Sequence, residues 1–425
     1  MKRKDWVEVE LGEVSEIISG KNQRTVENNS GKYPIYGSGG IFGRADDYIC
    51  EPGTTIIGRK GTINNPIYVN ERFWNVDTAF GITPKSVVAP KFVFYFSKGF
   101  NFHKLDKSTT IPSLAKRDLL SIKFPLAPLP EQRAIVAKIE QLFSELDNGI
   151  SNLKSAKDKL EIYRQAVLKK AFEGELTKEW RERTFTIEPW KSKSIGDVVS
   201  DLTQGWSPRC LNSASVDYEE WAVIKTSAVQ PTNFIPMENK ILPFDQKPKI
   251  QHEIKNGDIL ITRAGPRNRV GICCLVRKVR PKLLNCDKVY RLKLTEDVSG
   301  LFFEYLMNST GFVNKLDELK TGGNDSGLNL TQNRFLNLKI PIPPLSEQHQ
   351  IVQEIETRLS VCDNILANIN ESLDKSEALR QSILKQAFEG KLLSETELEA
   401  CRREPDWQHA EKLLERIKKS KHAMA

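Results

Sequence analysis

PLAPLPEQRAIVAKIEQLF, Pro125 to Phe143, opens a stretch that closes as YRQAVLKKAFEGELT at Thr177. The stretch returns from Pro341 to Leu393, as PIPPLSEQHQIVQEIETRL closing LRQSILKQAFEGKLL. The offset is constant at 216 positions, without a gap, and roughly half the aligned positions are identical. Such a match is an internal duplication, not a shared composition.

The duplicated stretch reads as a long helix. Pro125, Pro128 and Pro130 stiffen an extended approach. Glu131 and Gln132 then open the helix, with an acidic residue at the positive end of the dipole. Ile135, Ile139, Leu142, Leu146, Gly149, Leu153, Ala156, Leu160, Tyr163 and Val167 recur at spacings of four and three, a heptad seam that only Gly149 interrupts. The helix is predicted to end near Phe172, with Gly174 as its cap. The second copy repeats the seam at Ile351, Ile355, Cys362, Ile365, Ile369, Leu379 and Ile383. Arg358, Ser372 and Ser376 fill the other seam positions, and Leu359, Leu366 and Leu373 widen the stripe. Ser346 is a candidate N-cap and Gly390 the closing cap. A helix this long with one apolar stripe needs a partner. The other copy is in the same chain, so an antiparallel intramolecular coiled coil with an internal pseudo-two-fold repeat is expected. A dimerisation coiled coil between chains is the alternative.

Each helix follows a globular segment. Met1 to Phe124 alternates short apolar runs with turn signals, as in YPIYGSGGIFG and EPGTTIIGRKGTINNPIYV, while KFVFYFSKGFNFHKL reads as helical. Lys178 to Ile340 echoes it. Trp6 and Trp190, Gly12 and Gly196, and Gly20 and Gly205 take equivalent places. NGDILITRAGPRNRVGI echoes PGTTIIGRKGTINNPI, and NCDKVYRLKLT echoes NVDTAFGITP. The polar loops hardly match: SGKNQRTVENN stands against TQGWSPRCLN. A shared frame with different loops suits two recognition domains for different ligands, and ordinary drift gives the same picture.

Composition bounds the class. The chain has 425 residues, enough for two or three domains, and a net charge of +8, which permits a nucleic-acid partner without establishing one. No apolar run approaches a membrane span, and MKRKDWVEVELGEV lacks the apolar core of a signal peptide, so the cytoplasm is expected. The seven cysteines contain no CxxC, and Cys273 and Cys274 sit in the apolar run VGICCLV as strand core; neither a zinc site nor a disulfide framework is expected. Gly58 to Thr62, GRKGT, does not meet the P-loop pattern. Asn65, Pro66, Ile67 and Tyr68 resemble the NPPY motif of amino-methyltransferases, but Ile67 replaces a proline and no glycine-rich cofactor loop precedes it. With no GxSxG, HExxH or paired-carboxylate motif, no catalysis by this chain is expected.

The paired elements PLPEQ…IVAKIEQLF…RQAVLKKAFEGELT and PPLSEQ…IVQEIETRL…RQSILKQAFEGKLL, each behind a variable segment, resemble the specificity subunit of type I restriction-modification systems. LTKEW at Leu176 to Trp180 and EPDW from Glu404, followed by a short basic helix, also look like that family. The resemblance implies an α/β chain: two mixed α/β target-recognition domains (1–124 and 178–340), separated by spacer helices (125–177 and 341–393) forming an antiparallel coiled coil, with a basic helical tail (394–425). It implies double-stranded DNA as ligand, with each domain reading half of an asymmetric bipartite site. It also implies two copies of a modification (methyltransferase) subunit and a restriction/translocase subunit as partners. S-adenosylmethionine, ATP and Mg belong to those partners, and no cofactor or metal is expected in this chain. A coiled-coil scaffold or adaptor without sequence-specific DNA binding is the rival reading.

Family motifs do not fix the base contacts, so the candidates follow from chemistry. Arg, Lys, Asn and Gln read base edges, and Lys, Arg and Ser/Thr near glycine meet phosphates. In the first domain these are Lys21, Gln23, Arg24, Ser38, Arg59, Lys60, Ser108 and Thr109. In the second they are Gln204, Trp206, Arg209, Arg263, Arg267, Asn268 and Arg269, with Thr321, Asn324 and Ser326 from the loop TGGNDSG. Trp206 either stacks on a base or packs into the core. Glu131, Gln132, Arg164 and Phe172, with Glu347, Gln348, Arg380 and Phe388, are the candidate partner-docking residues of the helices.

Overall fold

The computed structural model describes residues 3–184 and 188–423. The chain forms two compact units, one from Met1–Lys154 with Asn370–Ala425 and the other from Ser155–Ile369. Both are built to one plan. In the first, a four-stranded antiparallel sheet runs in the order Ser15–Ser19, Ala79–Pro84, Thr54–Gly58, Ile67–Val69. In the second, the order is Val199–Gln204, Val289–Leu294, Ile259–Thr262, Cys273–Leu275. Thr54–Gly58 and Ile259–Thr262 are buried at every position. These interior strands are covered on both faces; their apolar pair and triplet, Ile56–Ile57 and Ile259–Ile261, sit beside the buried threonines Thr54, Thr55 and Thr262.

A three-stranded sheet follows in each unit: Tyr33–Gly37 lies between Gly40–Ala45 and Trp74–Asn75, and Ala222–Ile224 between Asn239–Ile241 and Leu283–Leu284. One neighbour is antiparallel and the other parallel in both cases. The helix Pro90–Gly99 buries Phe92, Val93 and Phe96, and Gly300–Met307 buries Phe302, Phe303, Leu306 and Met307. That spacing lays one helical face on the sheet. Each globular part closes with a two-stranded ribbon, Val7–Glu10 with Lys123–Leu126 and Lys191–Ser194 with Lys339–Ile342.

The duplicated stretches form helices of 44 residues, Leu129–Phe172 and Leu345–Phe388. Both end ahead of a left-handed glycine, Gly174 at φ 78° and Gly390 at φ 72°, a conformation that costs glycine nothing. Ser346 is not the N-cap. The second helix already begins at Leu345, and the Pro344 carbonyl accepts from the backbone N–H groups of Glu347 and Gln348.

Within each unit, part of one long helix runs antiparallel to part of the other. In the first unit Asp147 pairs with Arg380, and the tail beyond the second helix pairs with the first through Glu397 to Lys138 and Asp406 to Arg133. In the second, Arg164 pairs with Asp363, and Tyr163 bonds Arg358. Arg164 and Arg380, like Asp147 and Asp363, are equivalent positions of the duplication. Burial along the seam is uneven: Ile135, Ile139, Ile351, Ile355, Cys362, Ile369, Val167 and Ile383 are buried, whereas Ile365 is 42% and Leu379 50% exposed. Two helices alone cannot enclose a wide stripe. The tail adds Glu395–Arg402, capped by Ser394 and Glu397, and Ala410–Ala423, which buries Leu413 and Ile417 in the first unit's core.

Among the described residues no helix is long and apolar enough to cross a membrane, and no group of three or more His, Cys, Asp or Glu is placed to hold a metal.

Candidate nucleic-acid interface

One end of the four-stranded sheet gathers most of the candidate residues in the first unit. Ser15–Ser19 and Thr54–Gly58 end there, and Ala79–Pro84 begins there. Gly20 and Lys21 donate backbone bonds to the Ala79 and Asn75 carbonyls at 3.1 and 2.9 Å. A Cβ on Gly20 would stand 1.8 Å from the Val76 carbonyl oxygen, so only glycine lets the chain pass. Arg59 N–H donates to the Thr78 carbonyl at 2.7 Å, and the Arg59 carbonyl accepts from Leu114 N–H at 2.9 Å. This brings the loop before Leu114 beside the strand end. Asp106 holds that loop, accepting from the backbone of Ser108 and Ser113 and from the Ser108 hydroxyl. Those bonds, the Ser108 hydroxyl first, hold its carboxyl below the usual range. Ser38 packs beside Gly58. Lys21, Arg24, Arg59, Lys60, Ser108 and Thr109 are exposed and Gln23 and Ser38 half-buried.

The second unit repeats the frame with other side chains. Gly205 fits because a Cβ there would meet the Asn285 carbonyl oxygen at 2.3 Å. Trp206 N–H donates to that carbonyl at 3.0 Å, as Lys21 does to Asn75. The Trp206 ring is half-buried against the Ala222 cluster, with the Lys249 ammonium 4.8 Å from its centroid. Gln204 reaches the Asp287 carbonyl at 3.0 Å. Arg263 N–H donates to the Lys288 carbonyl, and the Arg263 carbonyl accepts from Leu330 N–H.

The remaining candidates of this unit differ in availability. Arg267 is paired with Asp317 and Asp325 at 2.6 and 3.0 Å, so a phosphate would compete with two carboxylates. Arg269 spends its guanidinium on Gln230, Thr226 and Val229, which makes it a brace for that loop. Asn268 between them is exposed, as are Arg209, Asn324 and Ser326. Thr321 is tied to Asn329 by backbone and hydroxyl.

Asn75 and Asn285 escaped the sequence reading. Both are buried, and each donates its side-chain amide to the carbonyl of Ala79 or Val289. The signal was present in NVDTAF and NCDKVY, whose shared Asn holds the crossing of the chain.

The sequence matches the type I restriction modification DNA specificity domain over residues 3–154 and again over 187–375. The chain belongs to this family. It is similar to the specificity subunit of the type I restriction enzyme EcoDI of Escherichia coli, 24% identical over 99% of this chain and 96% of that subunit. The EcoKI specificity subunit of Escherichia coli K12 is 26% identical over 80% and 74% of the two chains. The EcoEI subunit is 36% identical, but over only 43% of this chain and 31% of its own length. The fold is that of the HsdS subunit from Thermoanaerobacter tengcongensis, with a TM-score of 0.61 at 18% identity over 92% of this chain and 98% of that one. A chain from a type I R-M assembly gives a TM-score of 0.70 at 19% identity over 92% and 100%. The protein is therefore a DNA specificity subunit, the non-catalytic member of a restriction-modification system, with DNA and the other subunits as its partners.

In this specificity subunit the signature residues of the helices turn inward. Glu131 and Glu347 have no exposed surface. Glu131 accepts from the Trp6 indole at 2.8 Å and pairs with Arg3. Glu347 accepts from Trp190 at 3.0 Å and from Thr177 at 2.7 Å, and pairs with Arg181. Gln132 accepts from Ala89 N–H and donates to the Val87 and Ala127 carbonyls; Gln348 does the same with Ser299, Asp297 and Pro343. A buried side chain offers a partner nothing to touch. These four residues anchor the helices to their own unit, and Arg164 and Arg380 join helix to helix. Phe172 and Phe388 each line an open cleft. Phe172, Glu173, Trp190 and Pro341 line one, and Phe388, Glu389, Trp6 and Pro125 line its counterpart.

Proposed function

We propose that the two units read different halves of one bipartite, asymmetric DNA site, with residues 1–124 and 178–340 as recognition domains and the helices of 125–177 and 341–393 as spacer. One observation carries this reading: the strand ends, glycine, asparagine and arginine of the frame recur in both units, while the side chains they present differ. Lys21 stands where the second unit has Trp206, and Lys60 where it has Ala264. Identical loops would favour a palindrome.

The docking proposal follows from the same repetition. A cleft present once in each unit suits two copies of one modification subunit, which brings S-adenosylmethionine and methylates a flipped adenine. A restriction/translocase subunit supplies ATP-driven translocation and cleavage, and neither chemistry is assigned to this chain.

The test is co-expression with the modification subunit in a host lacking other adenine methylation, followed by sequencing that detects methylated adenine. The expected result is one asymmetric bipartite motif. Replacing 1–124 by the corresponding segment of another specificity subunit is expected to change one half only. A palindromic motif, or a swap that alters both halves, overturns the reading.

A further inference from the structure

We infer that Arg59 and Arg263 are equivalent, sequence-neutral contacts to the DNA backbone, one in each half-site; this rests on the bipartite reading. Arg59 is held by Thr78 behind its backbone N–H and by Leu114 on its carbonyl, and Arg263 by Lys288 and Leu330. The Arg59 guanidinium lies 5.6 Å from the Phe80 ring centroid and that of Arg263 5.7 Å from Tyr290. Arg59 Nη1 reaches the Asp77 carbonyl at 3.5 Å, and Arg263 Nε reaches the Asp287 carbonyl at 2.8 Å. The match therefore covers backbone partners, ring and carbonyl.

Two domains that read different sequences cannot draw their difference from a side chain they share in the same setting. What both half-sites share is the phosphate backbone, and phosphate contacts fix register without carrying sequence. The geometry agrees. A guanidinium has five N–H donors and the carbonyl takes one, so donors remain on each arginine to meet a phosphate oxygen. For exposed Arg59 a purely structural role is weak, because its 3.5 Å contact adds little to the backbone ladder; half-buried Arg263, bonded to the Asp287 carbonyl at 2.8 Å and to Tyr290, braces its loop as well.

The experiment uses the full chain in complex with its modification subunit. Binding is selected from a pool of randomised duplexes, and affinity for a fixed duplex is titrated against salt. Arg59→Gln and Arg263→Gln are each expected to weaken binding about tenfold at 0.1 M salt and to lower the slope of log K against log salt by about 0.9. The selected consensus is expected to stay unchanged. Arg59→Lys keeps the charge and is expected to keep the slope, which separates a phosphate contact from damage to the fold. Loss of preference for a base in either half-site, or an unchanged slope in both glutamine variants, overturns the inference. If the unmodified complex selects no bipartite consensus, the parent reading fails instead, and the salt slopes still report on the two arginines.

Discussion

Glu131 and Glu347 show how a residue changes meaning on folding. Both are acids in the first turn of a long helix, where the sequence suggests exposure and a favourable dipole. Their tryptophan partners lie 125 and 157 positions away, so no local pattern announces the buried bond. Glu304 is a third buried acid, bonded to Leu275 N–H and paired with Arg277. Burial pushes its carboxyl up, against the pull of those two partners. As pH rises from the unfolded glutamate value of about 4.3 towards the raised folded value, the native state keeps a proton that the unfolded chain has lost. Its contribution is present below that window and declines across it. Glu304→Gln is expected to flatten this decline, seen in urea midpoints measured as pH rises from the unfolded glutamate value of about 4.3. Equal slopes for both proteins would rule the account out.

At the scale of elements, the long helices are joined by equivalent ion pairs, Arg164 with Asp363 and Arg380 with Asp147. The aspartates are exposed, 66% and 63% by side chain, so each pair contributes at most about 1 kcal/mol. Their value is in register: a shift by one turn sets each arginine against another neighbour. Arg164→Asp is expected to lower stability by about 1 kcal/mol. Adding Asp363→Arg should restore most of it, measured by urea unfolding as a double-mutant cycle. No recovery would mean that the pair does not set the register. The heptad pattern located these helices, their length and their terminal glycines. It overstated the seam at Ile365 and Leu379, because periodicity reports which side chains share a face and not whether another layer covers it.

For the whole molecule, both long helices pass from one compact unit into the other, at Lys154/Ser155 and Ile369/Asn370. Inserting seven residues at both places preserves the heptad phase. We expect such a protein to methylate the same two half-sites with a different number of base pairs between them, read by sequencing methylated adenine. Unchanged spacing would remove the helices from the role of ruler.

The sequence alone determined the duplication, the helices and the kinship of the two globular segments, because these rest on local periodicity and on matching residues at a constant offset. It also marked Gly20 and Gly205 as equivalent. Only the tertiary structure decided which side of a signature residue matters. It turned Glu131, Gln132, Glu347 and Gln348 inward, spent Arg267 and Arg269 on neighbours, and placed Arg59 and Arg263 in matching frames at the sheet end. Those outcomes depend on carbonyls, rings and carboxylates brought from distant parts of the chain, and hydrogen bonds between distant residues leave no period to read.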